Sequence, residues 1–238
     1  MADNSSSHVL VTGASSGIGA AVCKMLLEEG YAVIGLSRHI KGSHFDHPEF
    51  TAIACDLRDF SALELQIKSL LKSKRVLSAA IFCAGSGYFG NLEQLDYKKI
   101  QALIELNLLS PILLSKLLVP DFKRRKSGHM IYIGSEAALQ GTKNGTAYCA
   151  SKFGLRGFVQ ALCAESRASG LSVSLINPGM VDTGFFDQLH FQPGEDPSNR
   201  ITPETIASCV QSILQADSNA IIEEINLSPR NKVIAFKP

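Results

Sequence analysis

Residues 8–30 constrain the chain more than any other stretch. An apolar strand, His8 to Thr12, runs into the glycine turn TGASSGIG and then into a helical pattern, Ala20 to Glu29, closed by Gly30. A strand that feeds a helix through so short a turn opens a βαβ unit, and therefore a parallel sheet. Gly13, Gly17 and Gly19 let the backbone turn tightly, let a ligand approach it and let the helix pack on the strand. The helix start, with Ser15, Ser16 and Ile18 beside it, offers free N–H groups to an anion.

The strands that follow each end in a candidate ligand group. Tyr31 to Leu36 is a second strand, and its end carries Ser37 and Arg38. An acid there would accept hydrogen bonds from an adenosine ribose and repel a phosphate, whereas arginine offers a planar fork of donors to a 2′-phosphate; the alternative is an ordinary surface arginine. From His39 to Phe50 the chain is irregular. His39, His44, Asp46 and His47 read as a solvent loop rather than a metal site, because no ligand pair is clearly held on one helical face. A third strand, Thr51 to Cys55, ends at Asp56 and Leu57, where a carboxylate could accept from an adenine amino group. A fourth, Leu77 to Phe82, ends in Cys83, Ala84 and Gly85, small residues that admit a cofactor closely. Parallel sheets bind ligands outside the carboxyl ends of their strands, which is where these candidates fall.

Proton chemistry concentrates between Ser135 and Lys152. An apolar strand, His129 to Gly134, delivers Ser135, and a helix beginning near Thr146 places Tyr148 and Lys152 four residues apart on one face. An ammonium beside a phenol of pKa ~10 favours the phenolate and moves the group toward useful proton exchange. Ser135 can hydrogen-bond the same reacting oxygen. A lone YxxxK also arises from a buried tyrosine and an exposed lysine, so the upstream glycine turn carries the weight. Between these stretches, the helix from Tyr97 to Val119 is apolar on nearly all sides. One sheet cannot cover it, which leaves a second subunit or an insertion elsewhere in the fold. Its Pro111 lacks an N–H and frees the carbonyl of Asn107. Either a water on that carbonyl contacts Lys152, or the proline is a packing kink.

The remaining sequence narrows the partner class. The formal charge of +1 over 238 residues offers no broad field for nucleic acid or an acidic membrane, so a small molecule is expected. The basic run Lys123 to Lys126 reads as cations at a helix C-terminus. No uncharged span is long enough to cross a bilayer, and MADNSSS lacks an apolar signal core. Six cysteines without CxxC pairs read as reduced core residues in a cytoplasmic protein. Leu171 to Ile176 is a sixth strand, Met180 to Arg200 a phenylalanine-bearing segment, and Thr202-Pro203-Glu204 a capped helix start. Ala220 to Ile225 is the last strand, followed by a short tail with no room for a second substrate domain.

TGASSGIG (12–19), CAG (83–85), Asn107, Ser135, YCASK (148–152) and NPGMVDT (177–183), taken in order over nearly the whole chain, resemble the short-chain dehydrogenase/reductase family. The resemblance implies a single α/β domain over residues 1–238, with a Rossmann-type doubly wound seven-stranded parallel sheet flanked by helices, a flexible tail at 1–7 and a substrate lid at 180–202. It also implies NADP(H) at the strand ends, with hydride transfer between the nicotinamide and a carbonyl or alcohol. Tyr148 would be the general acid, Ser135 would polarise the carbonyl, and Lys152 would depress the phenol's pKa and hold the nicotinamide ribose. Asn107 would maintain the relay, and Pro178, Gly179, Val181 and Thr183 would close over the carboxamide. Arg38 resembles the NADP-preferring members. The family's NNAG reads FCAG here, so Cys83 replaces an asparagine that braces the sheet. A homodimer or homotetramer acting on a small, partly apolar carbonyl or alcohol is the expectation. The alternative is an NADP(H)-binding sensor with vestigial catalysis, against which the intact Ser, Tyr, Lys and Asn set argues.

Overall fold

The computed structural model describes residues 7–40, 45–73, 75–217 and 219–237. Its strands are β1 (Ser7–Thr12), β2 (Ala32–Ser37), β3 (Phe50–Ala54), β4 (Val76–Phe82), β5 (Gly128–Ile133), β6 (Leu171–Pro178), β7 (Phe191–Pro193), β8 (Glu224–Leu227) and β9 (Ile234–Phe236). Its α-helices are α1 (Gly17–Glu28), α2 (Phe60–Lys72), α3 (Tyr97–Ile104), α4 (Ser110–Arg125), α5 (Thr146–Ser166) and α6 (Pro203–Leu214). Seven strands form one parallel sheet in the order β3-β2-β1-β4-β5-β6-β8.

Both faces of this sheet are covered, which is why its central strands are nearly continuous apolar runs. Side chains alternate between the faces along each strand. Leu10, Ile34 and Met130 pack with Leu63 of α2, Leu114 of α4 and Leu155 of α5. Val9, Val11 and Ile131 pack with Leu26 of α1 and Val210 of α6. The chain runs from β1 outward to β2 and β3, then crosses to pair β4 with the other flank of β1. That reversal opens a crevice at the carboxyl ends of β1 and β4.

Several boundaries differ from the sequence reading, each for a local reason. Ser7 belongs to β1, opposite Val76 of β4, rather than to a tail; the rest of the expected tail, 1–6, lies outside the described residues, as does His44. Helix α1 starts at Gly17, inside the glycine turn, with the extended Ser16 as its N-cap. The long apolar helix continues to Arg125 and contains a π-turn at Glu105–Leu109, where the Ser110 N–H bonds the carbonyl of Glu105. Pro111, which has no N–H to give, follows this shift in the ladder. Among the described residues, Tyr97–Arg125 has the length and hydropathy to cross a bilayer, but here it packs within the fold against α2 and α5. The last sheet strand is Glu224–Leu227, not Ala220 to Ile225, since pairing with β6 begins at Leu175 opposite Glu224.

After β6 the chain makes the expected excursion. It is pinched at its base by the bridge between Val181 and Ile201 and by the Asp182–Arg200 ion pair at 3.2 Å. Inside it are short 3₁₀ turns and β7, so the excursion is largely irregular. The segment after β8 is no loose tail: β9 pairs antiparallel with β7, Phe191 opposite Phe236.

Candidate active site

The glycine turn is built by close approach. Gly13 has φ +68°, and a Cβ there would lie 2.9 Å from the backbone N and Cα of Ala84. The Thr12 hydroxyl accepts from the Ala84 N–H at 3.2 Å, fastening the ends of β1 and β4 together. A Cβ on Gly19 would sit 2.2 Å from the Gly13 carbonyl, so only glycine lets α1 start this near the strand. Ser16 occupies the N-cap of α1 but makes no side-chain cap, and the N–H groups of the first turn have no helical partners. Gly17 faces Thr183 of the loop after β6: a Cβ would be 3.2 Å from its methyl. The hydroxyls of Ser15 and Ser37 lie 2.8 Å apart, so the turn also meets the end of β2, next to the exposed Arg38.

At the end of β3 the picture is more crowded than the sequence suggests. Asp56 accepts from Arg58 Nε at 3.1 Å, from its Nη2 at 2.8 Å and from its backbone N–H at 3.0 Å. The hydrogen bonds to the Arg58 guanidinium hold the carboxyl down at about 2, with a smaller contribution from the charge of Arg38. Both cations therefore stand near the predicted adenine carboxylate. Arg58 escaped the sequence reading because nothing in its spacing marks it. Leu57 is buried and lines, with Thr12, Ala84 and Asn107, a cavity of about 10 Å³, room for about one water.

Asn107 is buried at the middle of the π-turn. Its Oδ1 accepts from the Ser86 N–H at 2.9 Å, and its Nδ2 donates to the Ser86 carbonyl at 2.9 Å and to Ser151 Oγ at 3.2 Å. The side chain thus ties the loop after β4 to α5. This brace, with the Thr12–Ala84 bond, supports the loop that carries Cys83. The Cys83 thiol is pushed up to about 12 by burial, with the Lys152 ammonium pulling the other way.

A cleft of about 430 Å³ opens beside these elements and brings together Ile18, Cys83, Gly85, Ser135, Tyr148, Lys152, Pro178, Gly179, Val181 and Thr183. Ser135 is placed at the end of β5, its N–H donating to Asn177 Oδ1 at 3.3 Å. Asn177, itself buried, also donates to Glu224 Oε1 and Asn226 Oδ1 at 2.9 Å each. Tyr148 and Lys152 stand in the first two turns of α5. The Ser135 hydroxyl beside Tyr148 favours its ionised form, but burial dominates and raises the phenol to about 12.

Lys152 also reaches across to the end of β5. Its Nζ donates to the Ile133 carbonyl at 3.1 Å and lies 5.9 Å from the centroid of the Tyr148 ring, and its own pKa is lowered to about 8 by burial. Spacing of four on a helix sets the two side chains on one face, but not which atom the ammonium meets. A Cβ on Gly85 would lie 3.4 Å from Asn107 Oδ1 and 3.7 Å from Lys152 Nζ, so these three residues converge.

Residues 7–193 match the family described as short chain dehydrogenase. The chain belongs to that family. The 3-ketodihydrosphingosine reductase of Bos taurus is 29% identical over 215 residues, 85% of this chain and 64% of the relative. The 17-beta-hydroxysteroid dehydrogenase type 1 of Mus musculus is 32% identical over 200 residues, 78% of this chain and 57% of the relative. This short-chain dehydrogenase therefore spans about 60% of the length of these curated relatives. Among solved structures, a metagenomic short-chain oxidoreductase in complex with NADP superposes with a TM-score of 0.82 at 29% identity, covering 96% of this chain and 99% of the other. The seven-stranded single-domain architecture is thus that of its family.

Proposed function

We propose that this oxidoreductase uses NADP(H) to interconvert a carbonyl compound and an alcohol, with reduction the working direction. The observation that carries the reading is the convergence of Ser135, Tyr148 and Lys152 on a cleft also lined by Ile18 and by residues 178–183. The fit to a dinucleotide rests on the cradle itself: side chains are sterically barred at Gly13 and Gly19, and the first turn of α1 keeps donors for an anion. Gly13, Ser15, Ser16, Gly17, Ile18 and Gly19 would hold the pyrophosphate side. Ser37 and Arg38 would receive the 2′-phosphate, Asp56 and Leu57 the adenine. Cys83, Ala84, Gly85, Pro178, Gly179, Val181 and Thr183 would line the nicotinamide end. The 29% identical relative with NADP bound supports the cofactor.

When bound, the nicotinamide supplies or accepts the hydride. Ser135 would donate a hydrogen bond to the substrate oxygen, and Tyr148 would deliver the proton. Burial keeps the phenol protonated at neutral pH, so Tyr148 carries the proton it would deliver. Lys152 would hold the ribose and, with Asn107, connect the phenol to the interior. A second copy over the face that exposes Tyr97, Leu109 and Phe153 would give the oligomer. Six unpaired cysteines support a reducing cytoplasmic setting.

The test is NADPH oxidation against a panel of aldehydes and ketones, beside the Tyr148→Phe variant. Turnover that falls by orders of magnitude in the variant is expected; cofactor binding without turnover on any carbonyl would sink the reading.

A further inference from the structure

We propose that β9 is the specificity wall of the cleft, selecting carbonyl compounds that carry an extended apolar body; this rests on the carbonyl reductase reading above. Ile234 and Phe236 are two residues apart on one strand and share a face. Both line the cleft although 53% and 74% exposed, an apolar surface that a substrate's apolar end would cover. Aromatic contacts lead to them from the reacting phenol. Tyr148 lies 4.9 Å from Phe89 by ring centroids, Phe89 lies 5.0 Å from Phe191, and Phe191 is the ladder partner of Phe236. Away from the residues assigned to the nicotinamide, the cleft is lined by Phe89, Phe185, Phe186, Phe191, Ile234 and Phe236, an apolar wall suited to an apolar substrate body.

Beside its ladder with β7, polar ties at both ends help set the strand's position. Lys232 pairs with Glu136 at 2.7 Å, and Glu136 directly follows Ser135. Lys237 Nζ donates to the carbonyls of Phe186 at 2.6 Å and Asp187 at 3.2 Å, inside the lid. β9 is thus tied to the Ser135 turn at one end and to the lid at the other. The wall keeps a fixed position relative to the reacting oxygen.

Calorimetric binding of 2-decanone and butanone to the NADP⁺-loaded protein tests the wall without requiring turnover, alongside kcat/KM for both ketones with NADPH. In the double variant Ile234→Ala with Phe236→Ala, 2-decanone should bind and react about tenfold more weakly, while butanone is unmoved. Phe236→Leu, which keeps an apolar side chain, should lose less than about threefold. Equal losses for both ketones, no change for 2-decanone, or no binding of 2-decanone by the wild type would overturn the proposal. Binding that follows this pattern without NADPH oxidation would overturn the catalytic reading and leave the wall standing.

Discussion

The hydroxyls of Ser15 and Ser37 lie 2.8 Å apart and join the glycine turn to the end of β2. This contact closes a small polar floor beside Arg38, with Asp56 and Arg58 on the next strand end. No basic residue stands within the turn itself, and Arg58 is already committed to Asp56. Arg38→Leu should therefore raise KM for NADPH by about one to two decades, the worth of one charge-assisted contact, and leave KM for NADH nearly unchanged. Paired KM values decide it; equal losses with both cofactors would make Arg38 structural.

Tyr148→Phe keeps the ring that packs against Phe89 and removes only the hydroxyl. Turnover should fall by about 10²- to 10⁴-fold, while NADPH binding, followed by its fluorescence, stays near wild type. A near-native kcat would remove Tyr148 from the chemistry.

Lys152 gives a pH signature in stability. Its folded pKa near 8 is below the ordinary 10.5, so between these values the unfolded chain binds the extra proton and stability rises with pH. Below about 8 both states are charged and the full cost of burying the ammonium, on the order of 3 kcal/mol, is present. In Lys152→Met this rise should vanish. Chemical denaturation of both proteins at pH 7 and pH 10 measures it, and parallel curves would refute it.

Asn177→Ala should destabilise the protein by about 2 to 4 kcal/mol, because it strands the buried Ser135 N–H and takes a hydrogen bond from Glu224. Urea melts give the loss. Turnover should drop as well, since Ser135 loses the bond that fixes its backbone.

Light scattering at micromolar concentration checks the assembly. The exposed Tyr97, Leu109 and Phe153 should be covered in a symmetric dimer or tetramer. A monomer under these conditions would leave that face without the proposed cover.

The sequence by itself determined the sheet and the cofactor cradle. Buried parallel strands need continuous apolar runs, and Gly13 and Gly19 stand where any Cβ would strike backbone, so local chemistry writes these features into adjacent residues. The positions of Ser37, Asp56 and Cys83 followed from where those apolar runs stop. What the tertiary structure alone decided concerns partners distant in the chain. Helical spacing put Tyr148 beside Lys152, but the ammonium turned to the Ile133 carbonyl, because a buried charge takes the nearest strong acceptor its reach allows. Asn107 was legible as a residue of the site; that its side chain grips Ser86 and Ser151 was not. The pairing of β9 with β7 joins segments some forty residues apart through backbone groups common to nearly every residue, so no side-chain pattern announces it.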